Sequence, residues 1–134
     1  MIKQSPGEVP IFLLLKTPEV IEHFNSLFHK LMWKFNLCAD VPELLKKVSN
    51  FSRAIVFLEG VIPKQEGTNI YKEILDNCPG AKIVLVCNRN HRNLVKEMIE
   101  KGGYGSIIEP YDPWEITTMV KHLIADLSEV DGTQ

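Results

Sequence analysis

The sequence contains no long apolar run, no signal-peptide core and no excess of positive charge. Its longest uninterrupted apolar stretches are about five residues, whereas a membrane-spanning helix needs about 20. The first seven residues lack the apolar segment of a secretory signal peptide. The net charge of -2 gives no overall basic field that would attract nucleic acid or a membrane surface. We therefore expect a cytoplasmic protein without nucleic-acid or membrane contacts.

Cysteine is also scarce, with three residues at positions 38, 78 and 87. The odd number and the absence of paired metal-type spacing argue against a disulfide framework or a zinc site. We expect reduced thiols, as in a cytoplasmic protein, and no metal centre. The 134 residues are 45% hydrophobic and 24% charged, which is typical of one soluble globular domain.

Short apolar segments alternate with helical patterns five times along the chain. The predicted strands are residues 11–15, 33–38, 54–58, 82–87 and 105–108. Several of these runs are apolar on both faces, which favours parallel strands covered by helices on both sides. The alternation predicts a three-layer αβα sandwich, flavodoxin-like, with a five-stranded parallel sheet of order 2-1-3-4-5 and about five helices.

The helices have recognisable start and stop signals. Cap residues followed by proline or an acid begin helices near residues 17–19, 40–43 and 112–115. Two further helices are predicted over residues 68–77 and 91–101. The domain is predicted to span residues 10–127, with an N-terminal tail over 1–9 and a C-terminal tail or the start of a linker over 128–134.

A carboxylate, Glu59, follows the third predicted strand and opens a loop that is marked by Pro63 and ends at Gly67. Ligands bind at the C-terminal edge of the strands in open α/β sheets. The position of Glu59 therefore makes this edge the candidate site.

Three segments together resemble a response-regulator receiver domain over residues 10–127. They are the Glu59-x-x-x-Pro63-x-x-x-Gly67 loop, the fourth strand with its small following side chain, and residues 105–112 around Pro110. The resemblance implies two-component signal transduction, in which a strand-three aspartate takes a phosphoryl group from a histidine kinase in a phosphorelay. In that family two acids hold Mg²⁺, and a hydroxyl residue and a lysine contact the phosphoryl oxygens.

None of these five functional side chains is retained. Glu59 stands at the phosphoacceptor position, Lys16 lies in the acid-pair region, Cys87 replaces the hydroxyl residue and Glu109 replaces the lysine. Phosphoryl transfer depends on positioned positive charge, and Mg²⁺ depends on carboxylate oxygens. The resemblance thus implies a degenerate pocket that binds no Mg²⁺ and no other cofactor and has no catalytic residue, supported by the turn residues Pro63, Gly67 and Pro110.

Two interpretations of individual residues follow. Lys16 lies between Glu59 and Glu109 and pairs with one or both, or its side chain extends into water. Cys87 is either a small inert residue or, with its thiolate favoured by Lys16, a redox-reactive one.

A group of residues near the fifth strand is the candidate interface: Tyr104, Ser106, Tyr111 and Trp114. Receiver domains commonly use the face of helix four, strand five and helix five for self-association or for an output partner. Burial of these aromatic rings in the core is the alternative.

We expect a pseudo-receiver domain that is not an enzyme and that binds a protein partner, an attached output domain or a second copy independently of phosphorylation. One alternative is a response regulator with residual or atypical phosphorylation. Another is a redox-sensing or small-molecule-sensing flavodoxin-like domain.

Overall fold

A five-stranded parallel sheet forms the centre of the protein in a computed structural model, which describes the backbone of residues 9–132 and the side chains of residues 9–127. The strands are β1 (Ile11–Leu14), β2 (Asn36–Leu37), β3 (Arg53–Glu59), β4 (Gly80–Cys87) and β5 (Gly105–Ile108). Their spatial order is β2-β1-β3-β4-β5, and every neighbouring pair is parallel. The predicted fold class and strand order are confirmed.

Six α-helices and one 3₁₀ turn cover the sheet within this part of the chain. They are α1 (Pro18–Lys30), α2 (Val41–Val48), α3 (Val61–Glu66), α4 (Asn69–Asn77), the 3₁₀ turn Arg89–His91, α5 (Leu94–Glu100) and α6 (Pro113–Gly132). None of the described helices is both long enough and apolar enough to cross a lipid bilayer.

The core has two layers, one on each face of the sheet. Because strand side chains alternate between faces, Ile11 and Leu13 pack on one side of β1, whereas Phe12 and Leu14 pack on the other. The first layer contains Phe24 of α1 and several buried residues of α6, and α2 and α4 cover the second layer. This two-sided burial explains why the strands are continuous apolar runs.

Several predicted boundaries were wrong. The segment from Glu59 to Gly67 was predicted to be a loop, but it contains α3. Pro63 does not prevent this helix, because it lies in the first turn, where backbone N–H groups have no partner within the helix. The predicted second strand shortens to two residues at the edge of the sheet, where it pairs with β1 alone. Its flanking rings, Trp33 and Phe35, instead pack on Phe28.

Two other differences concern helix ends. The helix predicted from His91 begins at Leu94, because the Asn88 side chain accepts from the N–H of Asn90 and holds a 3₁₀ turn before it. Helix α6 extends to Gly132, into the segment predicted as a C-terminal tail or the start of a linker, since no helix-breaking residue precedes that glycine. Residues 1–8 of the predicted N-terminal tail, and residues 133–134, lie outside the described part of the chain.

Candidate functional site

The side chain of Glu59 is buried at the C-terminal edge of the sheet. It is the last residue of β3, opposite Val86 of β4, and only 7% of its surface is exposed. Among residues 9–127 it is the one charged side chain in the buried class. A carboxylate removed from water to this degree requires hydrogen-bond donors nearby.

Those donors come from the loop between β1 and α1. Oε1 of Glu59 accepts from the backbone N–H of Lys16 at 2.7 Å and from that of Thr17 at 2.9 Å, and Oε2 accepts from the Thr17 hydroxyl. We call these three hydrogen bonds the Glu59 latch. Thr17 immediately precedes α1, so the carboxylate also lies at the positive end of a 13-residue helix. Hydrogen bonds to an ionised acceptor are stronger than neutral ones, and the latch therefore joins the first loop firmly to β3.

Of the two interpretations of Lys16, the structure agrees with the one in which its side chain extends into water and does not pair with Glu59 or Glu109. The Lys16 side chain is exposed, and within residues 9–127 no ion pair links it to either carboxylate. The contact to Glu59 is made instead by the Lys16 peptide N–H. A backbone N–H needs no side-chain ordering to reach the carboxylate, whereas a lysine ammonium in this position would lose its hydration and its rotamer freedom.

Glu109 follows β5 and stays exposed. Its Oε1 accepts from the backbone N–H of Arg89 at 3.3 Å, and its own N–H donates to the carbonyl of Cys87 at 2.9 Å. The next peptide bond, to Pro110, is cis. Glu109 therefore lies at the same edge of the sheet as Glu59 but contacts the neighbouring β4 loop and not the latch.

Cys87 ends β4 beside Glu59 and has no exposed surface. Burial, with a further contribution from the Glu59 charge, raises the pKa of its thiol to about 11. The thiol is therefore protonated at neutral pH, which supports the interpretation as an inert residue over a reactive thiolate. Its sulfur also packs close to the β3–α3 turn, because a Cβ added at Gly60 would lie 3.4 Å from Cys87 Sγ, in van der Waals contact.

The turn residues that were predicted to support the site have distinct environments. Pro63 is buried in α3, and Gly67 ends that helix with a φ of 95°. Pro110 is exposed between Glu109 and Tyr111. Gly67 is thus the one of the three whose backbone conformation calls for glycine.

Tyr111 joins α1 to the loop after β5. Its φ is 61°, its ring lies against His23 and Phe24, and its carbonyl accepts from Nε2 of His23 at 2.6 Å. Burial, followed by the charge of Glu109, raises the pKa of its hydroxyl to about 12. The Tyr111 side chain is half-buried against His23 and Phe24, so little of its ring is available to a partner.

Two of the four candidate interface residues, Tyr104 and Trp114, line one surface. Tyr104 is 37% exposed and Trp114 is 74% exposed, and both line an open cavity of about 290 Å³ with Met119. Ser106 is half-buried within β5, and Tyr111 does not line this cavity. The exposed aromatic surface thus lies on α6 and on Tyr104, the residue that precedes β5. The elements α5, β5 and α6 correspond to helix four, strand five and helix five of the sequence prediction.

The donor set around Glu59 does not match the needs of Mg²⁺. That ion prefers about six oxygen ligands in near-octahedral geometry, usually with one or two carboxylates. Here both Glu59 oxygens accept hydrogen bonds, and the neighbouring loop supplies two N–H groups and one hydroxyl but no carboxylate. Within residues 9–127, no three His, Cys, Asp or Glu side chains are grouped so that they could hold a metal ion.

Sequence reasoning missed two contacts: the hydrogen bond from the Thr17 hydroxyl to Glu59, and the one from His23 to the carbonyl of Tyr111. Thr17 was interpreted only as a helix cap, yet its side chain makes no cap hydrogen bond within α1 and donates to Glu59. The sequence did contain a signal for the Thr17 contact. A carboxylate at the buried end of a strand needs hydrogen-bond donors, and Thr17 supplies a hydroxyl in the predicted loop between the first strand and the first helix.

Comparison with solved structures shows that the chain has the fold of response-regulator receiver domains. The receiver domain of the TMAO respiratory system response regulator TorR superposes with a TM-score of 0.76 at 19% identity, over 90% of this chain and 99% of that one. The receiver domain of sensor histidine kinase PA1611 from Pseudomonas aeruginosa, with a magnesium ion coordinated in its active-site cleft, gives 0.74 at 14% identity, over 87% and 98%.

Full-length FixJ from B. japonicum gives a TM-score of 0.78 at 16% identity, over 90% of this chain but 59% of FixJ. No protein-family model and no curated protein matches the sequence. At these identities the likeness establishes the fold.

Proposed function

We propose that the chain is a pseudo-receiver domain, related to two-component signalling proteins, that acts by binding a protein partner without taking up a phosphoryl group. The observation that carries this proposal is the Glu59 latch. The carboxylate at the position of the phosphoacceptor is buried, and both its oxygens are engaged by Lys16 and Thr17 of the same chain. A nucleophile in this state lacks the freedom and the positive surroundings that phosphoryl transfer requires.

The absence of Mg²⁺ binding is part of the same proposal. Lys16 and Thr17 present donors where a metal site presents oxygen ligands, and the thiol of Cys87 is buried and protonated. Glu109 adds negative charge where phosphate chemistry needs a cation. In our proposal the domain has no catalytic activity and no cofactor, and it functions in the cytoplasm.

A phosphodonor experiment tests the proposal. The protein is incubated with phosphoramidate and Mg²⁺ and then analysed by intact-mass spectrometry, beside a receiver domain that retains its aspartate. We expect the control receiver to gain one phosphoryl group and this protein to gain none. A gain that disappears in the Glu59→Gln variant would favour the alternative of atypical phosphorelay signalling and overturn the proposal.

The partner surface in this proposal is the face formed by α5, β5 and α6. Exposed aromatic rings beside a small apolar cavity are typical of interface anchors, and Trp114 and Tyr104 supply them here. The partner is a separate protein, an attached output domain or a second copy of this chain. An attached output domain agrees with the comparison to FixJ, because the superposed region covers 59% of FixJ and the rest of FixJ lies outside that region.

Sedimentation analysis distinguishes the second copy from the other partners. If two copies associate through this face, the Trp114→Ala variant sediments as a monomer at concentrations where the wild type is a dimer. The Lys121→Ala variant, an exposed substitution on the same helix, serves as the control and should keep the dimer. A wild-type protein that is monomeric throughout would exclude the homodimer and leave a different partner.

A further inference from the structure

A cavity of about 780 Å³ opens at the N-terminal edge of the sheet, at the end opposite to the Glu59 latch. It lies between the start of β1, the end of α1, the start of β2 and one side of α6. Most of the side chains that line it are apolar. Small-molecule sites in proteins have this composition and enclose about 300–1,000 Å³.

Three aromatic side chains form walls of this cavity, and each is held in place by a ring of the core. Trp33 and Phe35 are half-buried and pack on the buried Phe28, with ring centroids 5.4 and 5.6 Å from the Phe28 ring. Phe51 is half-buried against Phe12, at 5.8 Å. The walls are therefore formed before a ligand enters, which lowers the entropy cost of binding. Walls of this kind suit a flat ring, which can pack edge to face or offset-stacked.

Met32 lies at the opening of the cavity in a backbone conformation that favours glycine. Helix α1 ends in a Schellman motif, in which the N–H of Met32 donates to the carbonyl of His29 and the N–H of Trp33 donates to that of Phe28. The motif places Met32 in the left-handed region, with a φ of 59°. Its side chain is 89% exposed, so it contributes little to the core. It lines the cavity, where a flexible thioether can contact the edge of an aromatic ligand.

The charge around the cavity has one sign. Among the described residues that line it, Lys34 has the one permanent charge and none is acidic. Lys34 is exposed, and within residues 9–127 no ion pair joins it to a carboxylate. His29 also lines the cavity and becomes positive when protonated. Carbonyls at the end of α1 would repel an anion, but those of Phe28 and His29 already accept hydrogen bonds in the Schellman motif.

We propose that this cavity binds a small planar aromatic carboxylate. The ring of the ligand packs against Trp33, Phe35 and Phe51, and its carboxylate accepts a charge-assisted hydrogen bond from Lys34 at the rim. This combination of an apolar body and one placed charge is what fixes the orientation of a ligand in such a cavity. The site is separate from Glu59 and goes beyond the proposed function, because it adds a small ligand to a domain that binds a protein.

The two tryptophans of the chain give the experiment an internal control. Trp33 lines this cavity, whereas Trp114 lines the separate cavity beside Tyr104. The indole N–H signals of the full chain are followed by ¹H–¹⁵N NMR while 2-naphthoate is added, and the Trp114→Phe variant assigns them. We expect a saturable shift of the Trp33 signal with a dissociation constant below about 1 mM, and no saturable shift of the Trp114 signal.

Two comparisons test the chemistry of the ligand. The Lys34→Met variant should bind 2-naphthoate about fivefold or more weakly, because the carboxylate loses its cationic partner. The matched control is Lys30→Met, which removes the same charge from an exposed lysine in the last turn of α1 outside the lining and should bind as the wild type does. The uncharged 2-naphthamide should bind more weakly than 2-naphthoate, and equally to the wild type and to Lys34→Met.

Four results would overturn the inference. Saturable shifts of both indole signals would show unspecific adsorption to apolar surface, and no shift of the Trp33 signal would remove the cavity as a site. Equal binding of the amide and the carboxylate, or equal weakening by Lys34→Met and Lys30→Met, would show that Lys34 does not select the ligand. Thermal unfolding checks that both exposed substitutions leave the fold intact. None of these readouts involves phosphoryl uptake, so the proposed function is tested separately.

Discussion

At the scale of single residues, the decisive feature is how the buried side chain of Glu59 is supplied with hydrogen-bond donors. Burial of a carboxylate is strongly unfavourable unless donors replace its water, and three donors from two adjacent residues do so here. The same contacts hold Lys16 and Thr17 in place before α1. A single side chain therefore links the first loop of the domain to its central strand.

Removal of this carboxylate should destabilise the fold. In Glu59→Ala the two N–H groups and the Thr17 hydroxyl lose their acceptor, and we expect the free energy of unfolding to fall by about 2 kcal/mol. Urea unfolding measures the change, with exposed Glu73→Ala as the control. Formate should restore part of the loss by occupying the vacated position, and chloride at equal ionic strength should not. An unchanged stability in Glu59→Ala would show that the latch contributes nothing.

Glu59 and Thr17 also show what the sequence can predict of the site. The strand-end position of Glu59 and the grouping of Trp114 with Tyr104 as a candidate surface were accessible from pattern and resemblance. The two backbone hydrogen bonds of the latch were not, because they depend on which atoms of the β1–α1 loop face the carboxylate, and backbone N–H direction has no sequence signature. The charge pattern alone suggested a lysine–carboxylate pair, but the peptide N–H groups provide the contact at a lower cost in side-chain entropy.

At the scale of secondary structure, apolar patterning predicted four of the five strands closely and the edge strand β2 poorly. The predicted β5 agrees with the structure, and β3 and β4 are longer than predicted by at most two residues at an end. The bounds of β2 were wrong because the Trp33 and Phe35 rings in the predicted strand pack on Phe28. Helix α3 was missed because a proline in a first turn resembles a loop signal. In both cases tertiary packing, and not the local sequence pattern, determines the secondary structure.

The end of α3 offers a test of backbone geometry alone. Gly67 has φ 95° and ψ 157°, a region essentially restricted to glycine, and an added Cβ would meet no atom within 4 Å. We expect Gly67→Ala to lower the free energy of unfolding by about 1–2 kcal/mol through strain without any clash. Chemical denaturation measures it, and Gln65→Ala in the same helix should have little effect. Equal stability of both variants would show that the turn relaxes freely.

At the scale of the whole molecule, buried thiols make stability depend on alkaline pH. Burial raises the pKa of Cys38 and of Cys87 from 9.0 to about 11, and the pKa of Tyr111 is also raised. Between pH 9 and 11 the unfolded chain loses thiol protons that the folded chain keeps. The unfolded state is therefore favoured as the pH rises through this window, by at most about 3 kcal/mol for each thiol.

Unfolding free energies measured from pH 8 to pH 11 should decline, and the decline should be shallower in the Cys38→Ala/Cys87→Ala variant. The comparison of slopes is the test, because the double variant lowers stability at every pH through its cavities. Parallel curves for the two proteins would show that the thiols are not responsible.

Beryllofluoride binding tests most directly whether the Glu59 carboxylate is committed to the β1–α1 loop. The amide signals of Lys16 and Thr17 are followed by ¹H–¹⁵N NMR while Mg²⁺ and beryllofluoride are added. Because these two N–H groups donate to Glu59, we predict that their chemical shifts and exchange protection remain unchanged at saturating concentrations. Saturable shifts of both amides, absent from the Glu59→Gln variant, would show that the site still accepts a phosphoryl mimic and would contradict the proposed function.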